Sequence, residues 1–423
     1  MGNAPAVDSK AAWWVLAGCG IVAMFGVTSL YGSTFGLMML PMQKELGWSR
    51  GDIAFSLTLM TLFGPAILPL VGWVIDHVRL RPLILWGVAL QSVSLAAFGF
   101  MHGSVWVYYG LCLAMIVTAS GASMLTLAKL LQTWFDKALG RALGILFAMI
   151  TVGAVIHPQL LRLVLQAASW REAFMAMGAL SLAFGGLAAW FLVREGPGAA
   201  ASAGSAQKTR PDPGGDASPT TMRGFLVDRT WWVLALWNML FAFAVGAILL
   251  HFAAMMQDRG LSLAQAATAM SIIGLGGFVG NLMAGWLIDR FSATALARVF
   301  VLAPLAAAVL LYTGSGVALA LFSAVLLGVF NAGDHSLSVF LARRYFSAGA
   351  FGRASASQQI ATALGGGVSP WISGLVHDRT GSYDMALLMA IAAFVAAAAA
   401  AWMLPQPRPE APVVAAPPQA AGA

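Results

Sequence analysis

One series of landmarks occurs twice in this chain, about 212 residues apart, and any fold it adopts has to accommodate that duplication. Gly72-Trp73-Val74-Ile75-Asp76 returns as Gly285-Trp286-Leu287-Ile288-Asp289. Trp134-Phe135 is answered by Tyr345-Phe346, Gly140-Arg141-Ala142 by Gly352-Arg353-Ala354, Pro158 by Pro370 and Trp170 by Tyr383. Such spacing predicts one structural unit used twice. The first unit is expected over 1–194 and the second over 229–405, joined by a flexible, polar Gly/Ala/Ser/Pro linker over 195–228 and followed by a disordered Pro/Ala tail over 406–423.

Each copy holds six apolar runs, near 13–41, 53–75, 82–101, 105–134, 142–166 and 173–193, then 231–256, 263–288, 296–314, 317–342, 354–376 and 385–404. At about 1.5 Å per residue, each can cross a hydrocarbon layer about 30 Å thick. Composition agrees: 60% of the residues are hydrophobic and 9% charged, where a soluble domain has about a quarter charged. The expected fold class is therefore an all-α membrane protein with twelve transmembrane helices in two pseudo-symmetric six-helix bundles. The first run is too long for a signal-peptide core and is expected to remain as a membrane helix. Sixteen of the 23 Lys and Arg fall on the side that carries both chain ends and the linker, six fall on the other, and Lys129 sits within the fourth run. By the positive-inside rule that side is the cytoplasm, so a multi-pass inner-membrane protein with cytoplasmic termini is expected.

The net charge of +7 is scattered between apolar runs rather than clustered with aromatics, which excludes nucleic acid as a partner. Cys19 and Cys112 fall inside apolar runs, as packing residues rather than a disulfide or metal set. There is no Gly-x-x-x-x-Gly-Lys-Ser/Thr phosphate loop, nucleophile elbow or metal-binding His pair, so neither an ATP-driven pump nor an enzyme is indicated, and no cofactor or metal is expected.

The loop phrase Gly72-x-x-x-Asp76-His77-x-Arg79-x-Arg81, with its echo Gly285-x-x-x-Asp289-Arg290, resembles the signature of the major facilitator superfamily. The glycine would admit a close helix, and the aspartate could cap a helix N-terminus or pair with an arginine of the other half. The resemblance implies a cytoplasmic gate built from Gly72, Asp76, Arg81, Arg141, Gly285, Asp289, Arg290 and Arg353. Tyr31-Gly-Ser-Thr-Phe-Gly, Leu40-Pro41 through Gly47-Trp48-Ser49-Arg50 and Trp134-Phe135 through Gly144 resemble the monocarboxylate and oxalate/formate porter branch, whose members move small organic acids with a proton or by exchange. That branch often carries an arginine in the eighth helix where this chain has Asn281, and the superfamily signature usually has Arg or Lys where this chain has His77.

Asp334 is the acidic residue that falls deep in an apolar run, about 14 Å from the cytoplasmic end by its nine-residue distance from Arg343. An ionisable group at that depth is by default functional, and the alternative is a structural carboxylate bonded to a neighbouring helix. With His335 beside it, Asp334 is the expected proton-coupling or cargo-contacting group. The family resemblance implies that helices one, four, seven and ten line a central cavity. Tyr31, Ser120, Ser123 and Asn238 are then candidate substrate contacts, together with His157 and Asn281, although His157 can equally be a helix-packing residue. The expected function is a secondary transporter of a small organic anion, working by alternating access with protons or by exchange, monomeric in the lipid bilayer. The alternatives are an exporter of amphipathic or neutral molecules and a non-transporting sensor with the same fold.

Overall fold

A computed structural model describes residues 7–196, 222–288, 290–346 and 348–405. Expectations at 197–221, at Asp289 and over the 406–423 tail lie outside the described residues, as does the side chain of His335. Among the described residues every regular element is helical.

Before the linker these helices form six rods: α1 (Lys10–Leu46), α2 (Arg50–His77), α3 (Leu80–Phe100), α4 (Val105–Gln132), α5 (Leu139–Ala167) and α6 (Trp170–Phe191). After it come α7 (Arg229–Leu249), α8 (Leu263–Ile288), α9 (Ala293–Thr313), α10 (Val317–Tyr345), α11 (Ala348–Thr380) and α12 (Asp384–Met403). Short helices Met222–Val227 and Phe252–Asp258 flank α7. Ten rods are long and apolar enough to cross a membrane as single helices. α2 makes eleven, bent by 50° between Arg50–Ile67 and Pro69–His77. α11 is the twelfth rod, 33 residues long and richer in Gly, Ser and Gln. Successive rods alternate in direction, so the start of α1 and the end of α12 share one face, here the terminal face. The loops after α1, α3, α5, α9 and α11 lie on the opposite, far face.

The rods start where the sequence supplies caps. Ser49 accepts from the Asp52 amide while the Asp52 carboxylate accepts from the Ser49 amide, closing a capping box at α2, and Ser169 with Glu172 does the same at α6. Gly47 ends α1 in a left-handed conformation, φ 69°, which a side chain would strain.

Two seams join the halves. Along α2 and α11, Gly51 meets Gly374, the Phe55 and Trp371 rings lie 5.1 Å apart, and Thr58 Oγ1 donates to the Gly367 carbonyl at 2.6 Å. Along α5 and α8, Ser271 Oγ donates to the Val155 carbonyl at 2.7 Å and Gln159 Nε2 to Ser271 Oγ at 3.2 Å. Small residues and interhelical hydrogen bonds of this kind are what hold helices together in lipid, where hydrocarbon contact gives no net drive.

Besides the π-helical stretch Ser181–Gly186 within α6, three rods of the first half are interrupted. α1 breaks at Phe25–Gly26, α4 passes through a 3-10 turn at Ser120–Ala122, and α2 bends near Leu68. Non-helical backbone at membrane depth is tolerated where it is buried in protein or lines a cavity, and these three interruptions surround one.

Candidate functional site

Asp334 lies on α10 in a small cavity of about 80 Å³ between α7, α10 and α11. Its neighbour Gly333 is pressed against the ring of Phe300, so α10 packs tightly on α9 there and presents the next residue about 100° round the helix. Asp334 is only 7% exposed, and its Oδ1 has no hydrogen-bond partner. Ser355 Oγ on the same cavity wall is also unpartnered. Asn238 ties together two more polar groups of the lining, Gln358 and Ser338. Its Nδ2 donates to the Leu234 carbonyl at 3.0 Å and to Gln358 Oε1 at 3.1 Å, while its Oδ1 accepts from Ser338 Oγ at 2.7 Å. The described residues lining this cavity include no Lys, Arg or His. Of the sequence candidates, Asp334 and Asn238 are thus brought together.

The first half contains a larger cavity of about 400 Å³ at the three helix interruptions. Ser120 and Ser123 line it, but their hydroxyls are engaged in repairing the break in α4. Ser120 Oγ donates to the Val117 carbonyl at 2.6 Å, and Ser123 Oγ caps the restarted helix at the Thr126 amide. Gln91 Nε2 is held by Ser181 Oγ at 3.1 Å. The rest of the wall is mainly hydrocarbon, including Val27, Met60, Ile67, Ile116, Leu127 and Ile150.

The remaining substrate candidates lie elsewhere. Tyr31 is buried against Tyr108, hydroxyl to hydroxyl at 3.1 Å, inside the packing of the first half. His157 packs beside Phe25 and approaches Ser29 Oγ at 3.3 Å. Asn281 is exposed on α8 and lines neither cavity.

At the terminal face, no described contact joins the expected gate residues across the halves, Asp289 lying outside the described residues. Asp76 is ion-paired with Lys129 of its own half. The Arg81 amide donates to Glu195, and its guanidinium to the Trp190 carbonyl at 3.0 Å. Arg141 lies over Trp13, Arg290 lies over Trp286 and Arg353 is exposed. The close approach expected at the signature glycines is also absent, since a Cβ at Gly72 or Gly285 would meet nothing within 4 Å.

The cross-half contact sits instead at the far face, on residues to which the sequence assigns no gating role. Arg50, at the start of α2, holds Asp258 with both terminal nitrogens, the Nη2 bond being 2.7 Å. It also donates to Gln43 Oε1 and Tyr383 Oη, each at 3.0 Å. Asp378 at the end of α11 accepts from the Arg50 and Gly51 amides at 3.0 and 2.8 Å, so a carboxylate of one half caps a helix N-terminus of the other. His377 reaches Asp258 at 3.5 Å. Burial by itself would raise the Asp258 carboxyl, but the bonds from His377 and Arg50 outweigh it and hold the group at about 2. Behind Arg50, the Tyr383 hydroxyl lies 2.9 Å from His251 Nδ1, and His251 Nε2 lies 2.8 Å from the Pro370 carbonyl.

A helical membrane protein made of two linked halves, fastened at one face and with polar and apolar cavities within it, has the architecture of a carrier. The sequence matches the family described as Major Facilitator Superfamily over residues 16–320 and 253–421, and the chain belongs to that family. It is similar to the probable sulfoacetate transporter SauU of Cupriavidus necator, 25% identical over 82% of this chain and 83% of the relative. It is also similar to monocarboxylate transporter 12 of Rattus norvegicus, 23% identical over 69% of this chain and 63% of the relative. A bacterial homologue of the human lysosomal transporter Spinster, solved inward-facing and unoccupied, shares the fold with a TM-score of 0.70 at 16% identity, covering 93% of this chain and 97% of that one.

Proposed function

We propose that this protein is a secondary active carrier that moves a small organic acid across the cytoplasmic membrane, with proton coupling or exchange through Asp334. The observation that carries this reading is the carboxyl of Asp334, buried on α10 with one oxygen unpartnered, in a polar cavity whose described lining offers no cation. Such a group can take up and release a proton as its access to water changes. The relatives named for sulfoacetate and for monocarboxylates support the cargo class.

In this reading the terminal face is cytoplasmic, and units 1–194 and 229–405 rock against each other about the α2–α11 and α5–α8 seams. The clasp of Arg50 with Asp258 and Asp378 closes the outer face, giving an inward-open state. In the opposite state Asp76, Arg141, Asp289 and Arg353 close the cytoplasmic face. The test is Asp334→Asn in proteoliposomes. The expected variant loses accumulation driven by a pH gradient but still exchanges labelled for unlabelled cargo. Undiminished pH-driven uptake would leave Asp334 a structural residue and remove the coupling assignment.

A further inference from the structure

The two cavities differ in chemistry, and their registers place them at one depth. Thr58 on α2 is bonded to Gly367 on α11, which fixes the antiparallel seam. Met60 to Ile67, lining the apolar cavity, lie two to nine residues beyond Thr58, or about 3–14 Å toward the terminal face. Gln358 to Thr362, lining the Asp334 cavity, lie five to nine residues before Gly367, or about 8–14 Å toward the same face. The cavities therefore flank the α2–α11 seam side by side.

Their offers to a ligand are complementary. The apolar cavity, at about 400 Å³, is of the size that holds small ligands, which is about 300–1,000 Å³. Its Gln91, Ser120 and Ser123 side chains are already bonded within the first half. The Asp334 cavity is too small for a ligand body at about 80 Å³, but it presents two unpartnered oxygens, Asp334 Oδ1 and Ser355 Oγ. Neither described lining includes a Lys, Arg or His to meet a fully ionised head.

We infer that the cargo is an amphipathic weak acid, bound undissociated, with its hydrocarbon body in the apolar cavity at the breaks of α1 and α4 and its carboxyl O–H donating to Asp334. This rests on the carrier reading and narrows it. A single proton lies between the cargo carboxyl and Asp334, and no covalent bond is made or broken. Burying each further methylene of the cargo should tighten binding about fourfold.

The test uses the full-length protein in lipid nanodiscs at mildly acidic pH, with the linear carboxylates from acetate to heptanoate as probes and thermal stabilisation as the readout of Kd. Gly64 lines the apolar cavity, and a Cβ there meets nothing within 4 Å, so the side chain of Gly64→Leu starts in open space. Ala119→Phe is a second filler at the α4 break. In the unaltered protein, Kd should fall about fourfold per methylene from propionate to hexanoate. Both fillers should flatten that slope, and Asp334→Asn should weaken every member without changing the slope. A flat series in the unaltered protein, or a slope that survives both fillers, overturns the inference. The carrier reading falls separately, if the unaltered protein neither accumulates nor exchanges labelled acid in proteoliposomes, whatever the slope of binding.

Discussion

Arg50 and Asp258, separated by 208 residues in sequence, form a two-pronged ion pair that fastens the start of α2 to the far end of the second half. The Arg50 side chain is 5% exposed and that of Asp258 33%, so the guanidinium is the member that suffers most when the pair is broken. Met39, beneath the Tyr383 hydroxyl, is buried when the clasp is closed. With Cys19 and Cys112 replaced, a cysteine at Met39 should react with an impermeant thiol reagent roughly tenfold faster in Arg50→Gln or Asp258→Asn, the factor that corresponds to about 1.4 kcal/mol of lost closure. The charge swap Arg50→Asp with Asp258→Arg should bring the rate back toward the starting value. Identical rates in all four proteins would show that the pair does not hold the far face shut.

The same clasp has a defined pH window. The folded-state pKa of Asp258 is held at about 2, below its ordinary 3.8, so its contribution is full above the ordinary value and is lost as pH falls from about 4 toward 2. In a His377→Gln background, which removes the imidazole beside Asp258, the labelling rate at Met39→Cys, divided by that of a fully exposed cysteine at the same pH because only the thiolate reacts, should be constant from pH 8 to 5 and should rise only below about pH 4. A rise centred near pH 6 in that background would require another titrating group in the clasp.

Why the sequence revealed α10's aspartate but not this clasp has a physical answer. Asp334 stands out because its neighbours in sequence are apolar, which is a local property. Arg50, Asp258 and Asp378 sit at rod ends, where isolated charges are ordinary, and their partners lie 208 and 328 residues away. The pairing of Tyr383 with Trp170 in the repeat marked that position without revealing its contacts. The lengths of the apolar runs follow from bilayer thickness and their doubling from the repeated landmarks, so the rods were legible. The breaks in α1 and α4 were not, because Gly26 and Gly121-Ala122 are as compatible with close helix packing as with an interruption. Ser120 and Ser123 looked like cargo contacts for the same reason, since a hydroxyl on a cavity-lining helix gives no sign in sequence that it is repairing its own backbone.

The glycines of α8 separate packing from gating. A Cβ at Gly280 would run into the Val329 carbonyl of α10, so Gly280→Ala should destabilise the protein by roughly 1–3 kcal/mol through overpacking. Gly285→Ala meets nothing within 4 Å and should be neutral or up to about 1 kcal/mol stabilising, alanine being the better helix former. Melting in detergent measures both. If the signature glycine admits a close helix only in the outward-open state, Gly285→Ala should keep its stability while its transport rate falls several-fold. Unchanged transport would leave that glycine without a gating role.

The hydrogen bonds behind Arg50 run in one direction. The Pro370 carbonyl can only accept, so His251 Nε2 carries the proton there and Nδ1 is left as an acceptor in the neutral ring. Burial raises the Tyr383 phenol above its ordinary range, so the phenol stays protonated, donates to His251 Nδ1 and accepts from Arg50. Tyr383→Phe removes both bonds at once and strands a buried imidazole nitrogen, which should cost about 1–3 kcal/mol and speed labelling at Met39→Cys. His251→Phe strands the phenol hydroxyl instead, and the double variant strands neither. The two losses should therefore fall short of additivity, with a coupling of about 0.5–3 kcal/mol in a double-mutant cycle read by thermal melting. Additive losses would mean that the hydroxyl and the imidazole do not act on each other, and that the clasp ends at Arg50.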